Sequence, residues 1–117
     1  MVFDSNLWVC EMDVKQLVSM LEKGETQEVE FKESFHSSQD FSKLMCGLAN
    51  TYGGVILVGV NKQGKAVGLK ENLDELQQKI SACAQSVSPA ILPSVEVETV
   101  NNEKLVAIVV QKTIDGV

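Results

Sequence analysis

Three glutamates and a lysine crowd into Glu25-Thr26-Gln27-Glu28-Val29-Glu30-Phe31-Lys32. In an extended segment Val29 and Phe31 point one way and Glu28, Glu30 and Lys32 the other, because side chains alternate along a strand. With Glu25 ahead of the strand and Glu30 on its outer face, two carboxylates can converge with Lys32 at a surface groove. A carboxylate pair can hold a divalent cation that activates water and neutralises a phosphodiester in the transition state. The same alternation also fits a solvated strand face whose glutamates and lysine pair across a sheet. Ion pairing, phosphate binding and metal-assisted cleavage all remain open for these residues.

A second group lies further along the chain. Asn50-Thr51-Tyr52-Gly53-Gly54 joins a helix to the apolar run Val55 to Val60. Glycines at such a junction permit close backbone approach, and exposed N–H groups there can cradle a phosphate. The negative end of the helix dipole opposes that use, which leaves Asn50 as a cap and the glycines as the turn. After the run, Asn61 to Lys65 forms a turn whose Lys62 and Lys65, with nearby Lys70, make the best candidate for an exposed basic finger. The alternative is a set of solubilising turn residues. The single histidine, His36, sits in a polar loop, and the sequence points to no Cys or Ser partner for catalysis by it. Tyr52, Trp8 and Phe3 can stack on bases, but aromatics make up only 5% of the chain, so a stacking platform is thinly supplied.

These residues need elements to position them. Asp13 caps a helix whose Val14, Leu17, Val18 and Leu21 share a face, and Lys23-Gly24 ends it. A half-buried strand runs from Glu28 to Ser34. Ser37, with Asp40 three residues on, resembles a capping box for a helix that buries Phe41, Leu44, Met45, Leu48 and Ala49. The uninterrupted run Val55 to Val60 predicts a strand covered on both faces. Ala66 to Leu69 reads as its short return strand. Asn72 caps a third helix, with Leu73, Leu76, Ile80 and Cys83 or Ala84 inward, and Pro89 and Pro93 bracket a loop. Ser94 to Val100, the turn Asn101-Asn102-Glu103, and Leu105 to Gln111 complete the pattern. The expectation is a single α+β domain over residues 1–117, with three helices packed on a mixed sheet in the order α-β-α-β-β-α-β-β.

Composition sets the limits. At 117 residues, 44% apolar and 22% charged, the chain can build a core without disulfides. Its three cysteines are far apart, with no C-x-x-C pair, and read as buried free thiols in a reducing compartment. No apolar run is long enough for a membrane span, and the N-terminus lacks the features of a signal peptide. A cytoplasmic protein is expected. All ten basic residues are lysines, and the net charge is −6. Arginine is the commonest reader of guanine edges, so its absence argues against sequence-specific duplex readout. Contact with nucleic acid through a local lysine patch remains compatible with this balance.

The ordered set Glu-x-Glu-Phe-Lys at 28–32, Ala-Asn-Thr-x-Gly-Gly at 49–54 and the following Gly-Val strand, ending at Gly59-Val60, resembles the Schlafen/Alba-like DNA-binding domain over roughly residues 20–112. That family forms the N-terminal part of bacterial transcriptional regulators, some labelled RecG-related helicases. The resemblance implies a nucleic-acid-binding module, for DNA or RNA, using Lys32, Lys62, Lys65, Lys70 and Asn50. It also implies a downstream domain, which the abrupt end after the last strand suits. The chain has no P-loop, so ATPase activity is not expected. An alternative is a Schlafen-type nuclease with Glu25 and Glu30, five residues apart, as catalytic and metal-binding groups for Mg or Mn. There the family places an aspartate in the turn after the Gly-Val strand, and here Lys62 takes the matching place. No cofactor is expected outside that reading. A homodimerisation or interaction domain without nucleic-acid binding is the third reading, favoured by the acidic balance.

Overall fold

A computed structural model describes residues 14–86, 91 and 93–112. The expected Asp13 cap, the segment around Trp8, Cys10, Pro89 and the residues from Thr113 onward lie outside these. Seven elements follow one another: α1 (Val14–Lys23), β1 (Val29–Lys32), α2 (Ser38–Ala49), β2 (Gly54–Val58), α3 (Leu73–Ser86), β3 (Ser94–Val100) and β4 (Glu103–Val110). The order is the one read from the sequence, with the return limb after β2 reduced to one antiparallel bridge, Val60–Ala66. The cause is local. Gly59 turns out of the strand at φ +97°, and its carbonyl accepts the N–H groups of both Val67 and Gly68. The Leu69 amide then donates to Lys104 O at 2.9 Å, so the limb closes against the start of β4.

Local chemistry fixes the helix ends. Ser37 Oγ accepts the Asp40 amide at 3.2 Å, and Asn72 Oδ1 accepts the Glu75 amide at 3.2 Å, which satisfies N–H groups otherwise orphaned in the first turns. Gly24 N–H closes α1 on Met20 O, as the Lys23-Gly24 stop predicts. Asn101 and Asn102, at φ 52° and 66°, make the tight hairpin between β3 and β4.

The sheet order is β1-β2-β4-β3, with β1 and β2 parallel and the other pairs antiparallel. Alternation along the two central strands supplies two cores. Ile56, Val58, Val106, Ile108 and Val110 pack under α2 and α3 with Phe41, Met45, Leu76 and Ile80. Val55, Leu57, Leu105, Ala107 and Val109 face α1, where Leu17, Met20, Leu21 and Phe31 join them. All five residues of β2 are buried, which is why its sequence is a continuous apolar run. Each large side chain so buried contributes about 1.5–3 kcal/mol of transfer free energy.

Gly54 lies where β1, β2 and α2 meet. A Cβ there would collide with the Glu28 carbonyl oxygen and lie 2.8 Å from Leu48 Cδ2. Its φ is ordinary, so a substitution tests sterics alone. Gly54→Ala should lower stability by about 1–3 kcal/mol, read as a reduced urea midpoint with an unchanged slope. A midpoint equal to that of the parent would show that the β1–α2 junction is looser than described.

Candidate functional site

Strand β1 is short and forms one edge of the sheet, so its outward backbone groups need partners that no neighbouring strand supplies. The preceding loop provides them. Thr26 N–H donates to Val29 O at 3.1 Å, and Phe31 N–H donates to Glu25 Oε2 at 2.9 Å. Glu25 therefore reaches along the strand and caps its edge. Lys62, carried by the turn after β2, places Nζ 3.3 Å from Glu25 Oε2 and 3.7 Å from Glu30 Oε2. Glu25, Glu30 and Lys62 are thus one cluster, although 37 residues separate Glu25 from Lys62.

The turn that carries Lys62 is built by Asn61, whose Oδ1 accepts the amides of Gln63 and Lys65, both at 3.0 Å. It is not a free finger. Gly64, at φ +83°, sits so close to the end of α1 that a Cβ on it would collide with Leu21 O and lie 3.5 Å from the Phe31 ring. A tip docked on α1 holds its lysines at fixed positions while their side chains stay exposed.

The remaining expected residues are distributed around this cluster. Glu30 and Lys32 pair with Ile56 and Val58, so both project on the α2 side of β1. Lys32 and Lys65 have no ion pair among the described residues, whereas Lys70 Nζ lies 3.5 Å from Glu33 Oε1. Phe35 N–H donates to Glu71 Oε2 at 2.6 Å, which ties the loop after β1 to the start of α3. Nothing in the sequence signals that contact. Asn50 stands at the other end of the β1–β2 pair. There its backbone N–H caps α2 on Cys46 O at 3.0 Å, apart from the lysines.

Charge decides what the cluster can hold. Burial pushes the Glu25 carboxyl up. The Phe31 amide, the Lys62 ammonium and the contact with Glu30 outweigh it and hold the group below its usual 4.5. Among the described residues no three His, Cys, Asp or Glu side chains converge as a metal-binding group. A divalent ion near 4 Å from Lys62 would meet a repulsion of about 2–8 kcal/mol between water-like and protein-surface screening. Two carboxylates whose shared space already holds an ammonium do not fit a resident Mg or Mn.

A groove of about 550 Å³ opens on the α2 side of β1. Gln27 and Glu30 line it from the edge strand, Lys43 and Gly47 from α2, and Tyr52 from the turn beyond. Tyr52 is 63% exposed. The sequence marks Tyr52 as able to stack but gives no indication that Lys43 lines the same groove.

Residues 25–117 match the family model described as Schlafen, AlbA_2, and the chain belongs to that family. Two solved structures share the fold. One is the crystal structure of the DIP2311 protein from Corynebacterium diphtheriae, 24% identical with a TM-score of 0.56 over 86% of this chain and 22% of that one. The other is the solution structure of the N-terminal domain of a RecG-related protein from Nitrosomonas europaea, 22% identical with a TM-score of 0.61 over 88% of this chain and 75% of that one. The matched region thus spans about a fifth of the Corynebacterium protein. At these identities the likeness establishes the fold alone. No curated protein matches in sequence. No helix among the described residues is long and apolar enough to cross a membrane.

The depressed Glu25 carboxyl links the cluster to pH. A group whose folded pKa lies below its unfolded value adds stability that is present above the unfolded pKa and disappears as pH falls through the folded one. The difference in stability between the parent and Glu25→Gln should therefore be constant near neutrality and shrink as pH drops below about 4.5. Urea midpoints across that range measure it. Parallel curves down to the acid limit would mean that Glu25 carries no folded-state shift.

Proposed function

We propose that the chain is a nucleic-acid-binding module of a regulatory protein, and that it engages the sugar-phosphate backbone without cleaving it. The observation that carries this reading is the seat of Lys62 Nζ between the carboxylates of Glu25 and Glu30. The pair is satisfied by a built-in cation and is not left open to a metal. Lys32 lies two residues beyond Glu30 on the same face of β1. Lys32 and Lys65, which have no ion pair among the described residues, meet phosphates first. Lys70 follows by exchanging a Glu33 oxygen for a phosphate oxygen, at small cost because exposed ion pairs are worth about 0–1 kcal/mol, while Lys62 stays on Glu25 and Glu30. Membership of the Schlafen, AlbA_2 family and the fold shared with a domain of a RecG-related protein support the reading.

Backbone binding of this kind makes affinity fall with salt. For single strands the slope of log K against log salt should drop by about 0.7 for each phosphate that a removed lysine no longer neutralises. Fluorescence anisotropy of Lys32→Ala/Lys65→Ala should therefore show a slope shallower by about 1.4. A slope equal to that of the parent would exclude these lysines. Manganese-dependent cleavage of the oligonucleotide that Glu30→Gln abolishes would overturn the non-hydrolytic reading.

A further inference from the structure

Resting on that reading, we infer that the groove between β1 and α2 takes an unpaired nucleotide, with its base stacked on Tyr52 and its phosphate on Lys43. Three independent observations converge on this groove. Tyr52 leaves 63% of its surface exposed in the turn after α2, where its ring packs no core. An exposed aromatic at the mouth of a groove suits base stacking, which accepts any base because every base has a π face. Lys43, on the α2 wall, has no ion pair among the described residues, so its ammonium is available to an anion. The one carboxylate in the groove wall, Glu30, is held by Lys62. This gives the edge cluster a second role, in which Lys62 masks the charge that would repel a phosphate.

The third observation is Gly47. It lies in the last turn of α2, where glycine costs up to about 1 kcal/mol relative to alanine. Two common reasons for such a residue are missing. A Cβ on Gly47 would meet nothing within 4 Å, so no close packing requires it. The positive φ of the helix-to-strand turn belongs to Gly53, so Gly47 does not terminate the helix. Its missing side chain leaves the α2 wall of the groove open. The volume of about 550 Å³ lies within the range of small-ligand sites. A duplex keeps its bases stacked inside, so the ligand is single-stranded DNA or RNA.

The test is anisotropy of the 117-residue chain with labelled single-stranded and duplex oligonucleotides of equal length at low salt, together with melting temperatures. Tyr52→Ala should weaken single-strand binding about 5- to 100-fold, and Tyr52→Phe should restore it, since stacking needs the ring and not the hydroxyl. Gly47→Gln supplies a better helix former and fills the groove. It should melt at or above the parent temperature and yet bind several-fold more weakly. Single strands should bind more tightly than duplex. If the parent binds oligonucleotide while Tyr52→Ala and Gly47→Gln bind equally well, the groove is excluded and the lysine contact stands. If duplex binds as tightly as single strands, an unpaired base is not the ligand. If the parent binds neither, this inference and the proposed function fall together.

Discussion

The hydrogen bond from the Phe31 amide to the Glu25 carboxylate is the constraint from which the site follows. Strand β1 contributes four residues at the edge of the sheet, and Phe31 is its fully buried anchor. An edge amide beside that anchor needs an acceptor, and a charged acceptor is worth about 1.5–3 kcal/mol. By supplying it, Glu25 folds the preceding loop along the strand and blunts the edge against pairing with another chain. Once Glu25 is fixed there, its second interaction is fixed as well. The same oxygen lies 3.3 Å from Lys62, and the turn bearing Lys62 is seated on α1 and Phe31 through Gly64.

This arrangement is compatible with the proposed phosphate ligand on an acidic chain. A net charge of −6 opposes nucleic acid at long range, so binding must rest on where the lysines stand. Around β1 the carboxylates of Glu25, Glu30 and Glu33 each have a lysine within 4 Å, from Lys62 or Lys70. Lys32, Lys43 and Lys65 are left over. The edge thus presents glutamates each within reach of a lysine, one of which is shared between Glu25 and Glu30, beside lysines that have no ion pair among the described residues. Ion pairing, one of the three chemistries open to the glutamates in the sequence, is the observed one.

Much of this is legible in the sequence, for reasons that differ by element. The two-sided burial of β2 and β4 shows as unbroken apolar runs, and the caps at Ser37 and Asn72 show because their side chains act within three residues. The five-residue spacing of Glu25 and Glu30 points to the convergence that the structure displays. Contacts between distant segments are hidden. Nothing in the spacing says that Gly64 docks on Leu21 or that Glu71 accepts the Phe35 amide, whereas the family resemblance already sets Lys62 in the place of the aspartate that joins the two glutamates. The expected return strand shrinks to a bridge for a similar reason, since Gly59 redirects the limb toward β4, which is not adjacent in sequence. Gly47 does carry a signal, a glycine inside a periodic helix, but its meaning depends on knowing that no side chain crosses the space above it.

Lys62 is the resident cation of the Glu25–Glu30 pair. Manganese titration followed by electron paramagnetic resonance tests it most directly, with the parent chain and Lys62→Ala compared at neutral pH. The parent should show no saturable manganese site up to millimolar metal, and binding should become measurable once the ammonium is removed. A tight, saturable site in the parent that disappears in Glu30→Gln would contradict the claim, and would make the carboxylate pair a metal centre.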